Sequence, residues 1–154
     1  MREFQLFPED YSWWTFEDYE SLLTVTERLK PINVLEFGPG GSTLAMLEGG
    51  AVMVDSCEDD QEYLAIFRKR IQAQHADRVM IHRFTQAEVL SIPAINRRRF
   101  DMAFIDGPKS TEKRRAAIRF AQERCDVVFC HDAENLTKLF GFKFEMTGTV
   151  GRLC

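Results

Sequence analysis

The stretch VLEFGPGGST, residues 34–43, decides how the rest of the chain is interpreted. An apolar run ends at the carboxylate of Glu36, a glycine turn follows at once, and a helical pattern opens at Ser42. This order predicts a β-strand, a tight turn and the start of a helix, an arrangement in which backbone amides face a ligand. Gly38 and Gly40 allow the backbone to turn sharply and to approach that ligand closely.

Two common phosphate-binding motifs do not fit this turn. The dinucleotide fingerprint G-x-G-x-x-G requires a glycine where the chain has Thr43, and the P-loop requires Gly-Lys-Ser/Thr after the turn. The carboxylate of Glu36, two residues before the first glycine, repels a phosphate but suits a ligand that carries an ammonium group. The turn therefore favours a positively charged ligand over a nucleotide phosphate.

The composition is that of an ordinary soluble domain. We expect 154 residues to form one domain, 1–154, in which residues 1–30 are an N-terminal helical or lid segment. A net charge of −4 gives no electrostatic reason to expect nucleic acid as a partner. The four cysteines show neither C-x-x-C nor zinc spacing, so reduced and mostly buried thiols are expected. With no signal peptide and no membrane-spanning apolar stretch, the prediction is a cytoplasmic protein without a membrane partner.

Apolar periodicity and turn residues predict alternating strands and helices. The predicted helices are 16–29, 42–48, 60–74, 111–124 and a short piece within 133–140. The predicted strands are 32–37, 51–56, 78–82, 100–105, 126–130, 142–146 and 150–154. Thr15 and Asp18 resemble a capping box for the first helix, whose expected core face is Leu22, Leu23, Val25 and Leu29. Pro93 is expected to interrupt any helix after the third strand. Trp13 and Trp14 are expected to pack in the core or to form a lid under a loop, with contact to the substrate as the alternative.

This order of elements predicts an α/β fold. Strands that alternate with helices form βαβ crossovers, so we expect a Rossmann-like, doubly wound, mostly parallel sheet with helices on both faces and a C-terminal antiparallel hairpin. Four carboxylates, Glu36, Glu58, Asp106 and Asp132, come at the ends of four predicted strands. In such sheets ligands bind outside the carboxyl ends of the strands, so these side chains are expected around one site.

Glu58 is the second candidate for ligand binding. It lies 20 residues beyond Gly38, and a carboxylate at that place can accept hydrogen bonds from two ribose hydroxyls. The alternative is a charge at a helix N-terminus, which Asp59 or Asp60 could equally supply.

Residues 34–43 resemble the first motif of class I S-adenosylmethionine-dependent methyltransferases, an acidic residue followed by G-x-G. The resemblance extends over residues 30–135. It implies that Glu36, Gly38 and Gly40 hold the methionine end of S-adenosylmethionine, with Ser42 at the place of the family's third glycine. The region after the third strand contacts adenine in this family, which implies a cofactor-binding role for Gln86; a solvated loop is the alternative.

The stretch FDMAFIDGPK, residues 100–109, is similar to the fourth-strand motif of catechol-type and caffeoyl-coenzyme-A-type O-methyltransferases. That resemblance implies that Asp106, also a candidate for cofactor binding, binds a divalent metal such as Mg²⁺ and that Lys109 is the general base on the substrate hydroxyl. Asp132, at the next strand end, could share the metal. The metal-dependent family has Asn directly after this second Asp, whereas this chain has Ala133. A solvated loop lysine is the alternative for Lys109.

The pair His131-Asp132 is also similar to a broader group of methyltransferases, with Asp-Gly after the fourth strand and His-Asp after the fifth. That group does not require a metal. His131 is therefore interpreted as a catalytic base, a metal ligand or a polar histidine with satisfied hydrogen bonds. The fourth-strand motif of N-methyltransferases that act on DNA or protein amides, Asn/Asp-Pro-Pro-aromatic, is not matched, which argues further against a nucleic-acid substrate.

The predicted function is methyl transfer from S-adenosylmethionine to a small-molecule acceptor at a hydroxyl oxygen, with Lys109 or Asp106 as the base. The segment between the fifth strand and the hairpin is short. Either the acceptor is small or extended, or a second subunit of a homodimer completes the pocket, or the protein binds the cofactor without turnover. A domain that binds NAD is a further alternative, which Thr43 and Glu36 disfavour.

Overall fold

The computed structural model describes residues 14–84 and 92–154. Its helices are α1 Phe16–Leu29, α2 Gly41–Glu48, α3 Gln61–His75, α4 Pro93–Asn96, α5 Thr111–Arg124 and α6 Ala133–Phe140. Its strands are β1 Asn33–Phe37, β2 Met53–Glu58, β3 Val79–Arg83, β4 Phe100–Ile105, β5 Cys125–Cys130, β6 Phe144–Thr147 and β7 Val150–Leu153.

Within the described residues the strands form one sheet in the order β3-β2-β1-β4-β5-β7-β6. The first five strands run parallel, and β7 pairs antiparallel with both β5 and β6. The predicted parallel sheet with a C-terminal antiparallel hairpin is therefore confirmed. The chain winds outward from β1 to β3 and then returns to the other side of β1 with β4, so a crevice opens between the loops that follow β1 and β4.

Helices cover both faces of the sheet, as predicted. Val34 of β1 belongs to an apolar core shared with α1, α2 and α3, while its neighbour Leu35 belongs to a core shared with α4, α5 and α6. Successive side chains of a strand point to opposite faces, so the buried side chains of Val34 and Leu35 need cover on both faces. Aromatic rings fill much of the core that contains Leu35. Phe37, for example, meets Phe84 and Phe120 edge to face.

Helix α1 begins with the predicted capping box. The Thr15 side chain accepts a hydrogen bond from the Asp18 backbone N–H at 3.2 Å, and Asp18 Oδ2 accepts one from the Thr15 backbone N–H at 2.8 Å. Leu22, Leu23 and Val25 are buried as expected. The expected burial of Leu29 is wrong, since 47% of it is exposed. It is the last residue of the helix, and no further turn follows to cover it.

Two other expectations are corrected by the structure. Pro93 does not interrupt a helix but begins α4, because a proline at the first helical position loses no intrahelical hydrogen bond. Strand β2 lies two residues further along than predicted, because its register with β1 runs from Asn33 opposite Met53 to Phe37 opposite Cys57. Glu58 is therefore the last residue of β2 rather than a loop residue.

The cysteines are free thiols, as expected. Cys57, Cys125 and Cys130 are buried, and Cys154 is exposed. Among helices in the described part of the chain, none is both long and apolar enough to cross a bilayer.

Candidate functional site

A cavity of about 960 Å³ lies at the carboxyl ends of the parallel strands. The turn after β1, residues 38–42, forms one wall, and the segment from Glu58 to Tyr63 continues it. The opposite wall consists of residues 106–110 after β4, the start of α5, and His131 and Asp132 after β5. The predicted strand ends thus meet around one space.

The glycine turn is held between the end of β2 and the loop that follows β4. Gly38 has φ +83°, and a Cβ added there would lie 2.6 Å from the backbone nitrogen of Gly107. The Gly38 N–H donates to the Cys57 carbonyl at 3.1 Å, and the N–H groups of Asp106 and Gly107 both donate to the Phe37 carbonyl at 2.9 Å. This position needs glycine for both its backbone conformation and its close approach to a second backbone.

Glu36 lies beneath the turn and is fully buried. Its carboxylate accepts hydrogen bonds from the hydroxyls of Ser42 at 2.6 Å, Thr43 at 2.7 Å and Ser56 at 2.6 Å. Burial raises the pKa of Glu36 to about 7, although the three hydroxyls act in the opposite direction. The residue is not among those that line the cavity, whereas Gly38, Gly40 and Ser42 are. Glu36 thus fixes the turn from below, and its contact with a bound ligand stays a prediction.

Glu58 lines the cavity at the end of β2. Its Oε1 accepts hydrogen bonds from the backbone N–H groups of Asp59 and Asp60, both at 2.8 Å. Burial raises its pKa to about 7. Asp60, not Glu58, is the N-cap of α3, because its Oδ1 accepts from the N–H groups of Glu62 and Tyr63. The capping role considered for Glu58 is thus filled by another residue.

Two contacts connect this wall to the rest of the cavity. The Tyr63 hydroxyl donates to the Pro39 carbonyl at 2.7 Å, which ties α3 to the glycine turn. Lys113 Nζ of α5 lies 2.7 Å from Asp59 Oδ2 and connects the two walls. Gln86, the candidate for adenine, and Trp13 lie outside the described residues.

On the opposite wall the structure brings together Asp106, Lys109, His131 and Asp132. The Nδ1 atom of His131 lies 3.1 Å from Asp106 Oδ1, and its Nε2 lies 3.0 Å from Asp18 Oδ1. Lys109 is exposed at the rim of the cavity. Trp14 also lines the cavity; its ring lies 5.7 Å from that of His131 and 6.0 Å from that of Phe104, so it packs against both the core and the site.

His131 is held as a cation. Burial opposes its charged form, but hydrogen bonds to Asp106 and Asp18 raise the pKa of His131 to about 10. Burial alone would raise the pKa of Asp18, but hydrogen bonds with His131 and Thr15 hold it well below its usual range. An imidazolium has no lone pair with which to take a proton or bind a metal. The catalytic and metal roles considered for His131 gain no support from this arrangement.

The distances around Asp106 would allow a metal, but the donor set does not fit one. Ligand atoms of Asp106, His131 and Asp132 all lie within 4.8 Å of one another. However, both ring nitrogens of His131 face carboxylates, and Arg114 Nη1 lies 3.4 Å from Asp132 Oδ2. Divalent cations such as Mg²⁺ take oxygen ligands, whereas here two cationic side chains already face those oxygens and repel a further positive charge.

Sequence reasoning missed Asp18 and Arg114 as residues of this site. Asp18 was identified as a helix cap, and nothing in its local sequence points to His131, 113 residues away. Arg114 belongs to a run of basic residues at the start of α5 that resembles an ordinary solvated helix face.

Comparison with known proteins gives a fold but no family model. No protein-family model matches the sequence, and no curated protein matches it significantly. Among solved structures, the chain is similar to an O-methyltransferase from Bacillus cereus in complex with SAH, with a TM-score of 0.68 at 21% identity over 83% of this chain and 61% of that one. It is similar to a protein described as a caffeoyl-CoA O-methyltransferase from Staphylococcus aureus, with a TM-score of 0.71 at 14% identity over 94% and 85% of the two chains.

A third similar structure is described as the RNA methyltransferase PH1948 from Pyrococcus horikoshii, with a TM-score of 0.62 at 16% identity over 88% of this chain and 79% of that one. At these identities the likeness establishes the fold, and the resemblance to class I methyltransferases is confirmed at that level. The chain spans less than two thirds of the length of the Bacillus cereus enzyme. Because one neighbour is described as acting on RNA, the expected exclusion of nucleic acid gains no support.

Proposed function

We propose that this protein transfers a methyl group from S-adenosylmethionine to a hydroxyl oxygen of a small-molecule acceptor. The observation that carries the proposal is that one cavity brings the glycine turn and Glu58 opposite Asp106 and Lys109, in the crevice of a methyltransferase fold. The proposal treats residues 1–154 as one domain whose N-terminal segment contributes to the site. The proposal includes a cytoplasmic location, which the free and mostly buried thiols support.

In this proposal the β1–β2 half of the cavity binds the methyl donor. The turn of residues 38–42 and the N-terminus of α2 receive its methionine end, with Ser42 held in place by its hydrogen bond to Glu36. Glu58 accepts hydrogen bonds from the ribose hydroxyls. Gln86 as the contact to adenine stays a prediction.

The opposite half binds the acceptor. Its oxygen attacks the methyl carbon in line with the departing sulfur: the O–C bond forms, the C–S bond breaks with its electron pair going to sulfur, and S-adenosylhomocysteine leaves. The hydroxyl proton goes to the neutral amine form of Lys109 or to the Asp106 carboxylate. Asp106 Oδ1 already accepts a hydrogen bond from His131, so Lys109 is the better-placed base. Most of the rate acceleration comes from positioning the two reactants. No divalent cation is included, because the donor set does not fit one.

The test is transfer of a radiolabelled methyl group from S-adenosylmethionine to a panel of catechols, phenols and other hydroxylated small molecules, with Mg²⁺ or with a chelator. We expect transfer to at least one acceptor class under both conditions. Lys109→Ala should abolish most of it, whereas Lys138→Ala, which changes an exposed lysine of α6 outside the cavity, should leave it unchanged. Equal activity of the two variants would remove Lys109 from the reaction.

A second candidate is a protein that binds S-adenosylmethionine without turnover. The observation in its favour is the short connection between β5 and the hairpin, which holds only the eight-residue α6. A second copy of the chain that completes the acceptor side would make this short connection compatible with catalysis. Such a homodimer stays a prediction. Binding of the donor without transfer to any acceptor in the panel would favour the candidate without turnover.

A further inference from the structure

A charged network on the acceptor side of the cavity ties α1 to the sheet. His131, directly after β5, contacts Asp106 Oδ1 through Nδ1 and Asp18 Oδ1 through Nε2. The Asp18 side chain is only 5% exposed and lies in the first turn of α1. Each ring nitrogen faces a carboxyl oxygen, and an ionised carboxylate can only accept a hydrogen bond, so both nitrogens donate and the ring is an imidazolium when Asp18 and Asp106 are ionised.

A second cation faces the remaining carboxylate. Arg114 Nη1 lies 3.4 Å from Asp132 Oδ2, while Nη2 and Nε donate to the carbonyl oxygens of Asp106 at 2.7 Å and Pro108 at 3.1 Å. The two carbonyl contacts hold the guanidinium against the loop that follows β4. Asp106 and Asp132, the carboxylates that a divalent cation would need, therefore each face a positively charged side chain of the protein.

We propose that His131 and Arg114 take the place of a divalent metal at this strand edge, and that Asp18 is the positioning residue that holds His131 there. A metal that bound Asp106 and Asp132 would have to displace both cations. Displacing His131 would leave Asp18 as a buried charge without its partner, which is strongly unfavourable. The site is therefore built to work without a metal, and α1 is part of it although it precedes residues 30–135, over which the sequence resembles the family.

The inference concerns the acceptor side of the proposed methyltransferase site but does not depend on methyl transfer. A titration with Mn²⁺ alone, in the absence of donor and acceptor, tests it. If no methyl transfer is observed, the Mn²⁺ titration still tests the inference. If Mn²⁺ binds, the proposed methyl transfer is still tested by the acceptor panel.

The first measurement is the electron paramagnetic resonance signal of free Mn²⁺ during titration into the full chain near neutral pH. We expect no stoichiometric binding up to millimolar Mn²⁺. Binding of one ion per chain that is lost in Asp106→Asn would overturn the inference.

The second measurement asks whether His131 is what keeps a metal out. His131→Asn removes the imidazolium and leaves Asp18, Asp106 and Asp132 close together, so affinity for Mn²⁺ should rise about tenfold or more. The matched control is His82→Asn, because His82 Nε2 lies 2.7 Å from Asp55 in the other histidine–aspartate pair of the described residues. The control variant should bind Mn²⁺ no more tightly than the wild type. A folded His131→Asn variant without gain would overturn the inference.

Asp18→Asn provides a second route should His131→Asn fail to fold. Without the negative charge of Asp18, the imidazolium loses one of its two charged partners, so the ring can release a proton and offer a nitrogen lone pair to Mn²⁺, and affinity should again rise. Thr15→Ala is the control, since it weakens the same helix cap but leaves the contact between Asp18 Oδ1 and His131 in place. A gain in Asp18→Asn alone supports the positioning role, and an equal response of both variants contradicts it.

Discussion

The two halves of the cavity hold their carboxylates with different kinds of donors. On the β1–β2 half, Glu36 accepts from three hydroxyls and Glu58 from two backbone amides, all of them neutral. On the β4–β5 half, Asp18 and Asp106 share the His131 imidazolium, and Asp132 faces Arg114. Neutral donors leave burial as the dominant influence and the glutamate pKa values rise to about 7, whereas the cation keeps Asp18 ionised. The half assigned to the methyl donor can change its charge near neutral pH, and the half assigned to the acceptor carries fixed charges.

The two halves of the cavity meet at the backbone contact between Gly38 and Gly107. Breaking this contact should have the largest effect on the free energy of unfolding. Gly38→Ala places a Cβ 2.6 Å from the Gly107 nitrogen and forces alanine to φ +83°, so we expect unfolding free energy to fall by about 4 kcal/mol, measured by chemical denaturation. Gly50→Ala is the matched control, because Gly50 has φ +100° but no neighbour within 4 Å of an added Cβ. It should lose about 1 kcal/mol. Equal losses would show that the backbone contact between the halves does not matter.

The hydrogen bonds that the three uncharged hydroxyls donate to Glu36 form a neutral network. Removing this network should have the next largest effect on the free energy of unfolding. Glu36→Ala leaves the hydroxyls of Ser42, Thr43 and Ser56 without their buried acceptor, and should cost about 3 kcal/mol of unfolding free energy. Glu36→Gln keeps one oxygen acceptor and should cost about 1 kcal/mol. Denaturation of both variants at pH 6 tests this order. A larger loss for glutamine than for alanine would contradict it.

The same residue gives a pH dependence with a defined sign. The Glu36 pKa rises from an ordinary 4.5 to about 7 on folding, so the folded state binds the proton more tightly. Its contribution to stability is fully present below pH 4.5 and is lost as the pH rises through about 7. The stability advantage of the wild type over Glu36→Gln should therefore shrink across this window, and an advantage that grows there would be incompatible with the neutral network.

Removing the charge of Asp18, the carboxylate partner of His131, should have an intermediate effect on the free energy of unfolding. Asp18→Asn turns a carboxylate that pairs with His131 into a neutral amide, and should lower unfolding free energy by about 2 kcal/mol more than Thr15→Ala, which loses only cap contacts. Paired denaturation curves measure this difference. Indistinguishable curves would mean that the contact between Asp18 and His131 contributes nothing to stability.

The charged half also has its own pH window. The groups that face His131 are Asp18 of α1, Asp106 after β4 and Asp132 at 3.7 Å, with Arg114 of α5 beside the last two. The His131 pKa rises from 6.5 to about 10 on folding, so its contribution to stability is fully present below pH 6.5 and is lost as the pH rises through about 10. The difference between wild type and His131→Asn should shrink over that range, most of which lies above the window of Glu36. If the two differences shrank over the same pH range, the distinction between the halves would be lost.

The smallest expected effect is on ligand binding alone. Glu58→Ala should weaken S-adenosylmethionine binding about tenfold, as expected for loss of a hydrogen-bonded carboxylate, with little change in stability. Glu62→Ala, which changes another acidic residue at the same wall, is the control for a general charge effect. Calorimetric dissociation constants compare them. If both variants weaken binding equally, Glu58 acts only through long-range charge.

Local contacts explain what the sequence could predict. The capping box at Thr15 joins residues three apart, and the glycine turn, Glu36 and Ser42 lie within seven positions. Periodicity and turn residues report such neighbours directly, so the strands, the sheet edge and the turn were accessible from sequence. The expected positions of the carboxylates at the strand ends followed from parallel topology alone.

Long-range contacts explain the rest. Asp18 reaches His131 across 113 residues, and Arg114 meets Asp132 only because α5 and β5 are neighbours in space. No local pattern distinguishes such side chains from caps or solvated charges. The burial of Glu36 behind the turn was likewise inaccessible, since it depends on Ser56 of the adjacent strand.

Calorimetric titration of the full chain with S-adenosylmethionine, compared with NAD, tests the central claim most directly. A cavity whose turn lies above a buried glutamate, and whose walls carry Glu58 and Asp59, should bind the sulfonium donor and reject the pyrophosphate of NAD. We predict one S-adenosylmethionine per chain, weakened in Glu58→Ala, and no measurable heat with NAD. Binding of NAD without binding of S-adenosylmethionine would contradict the account.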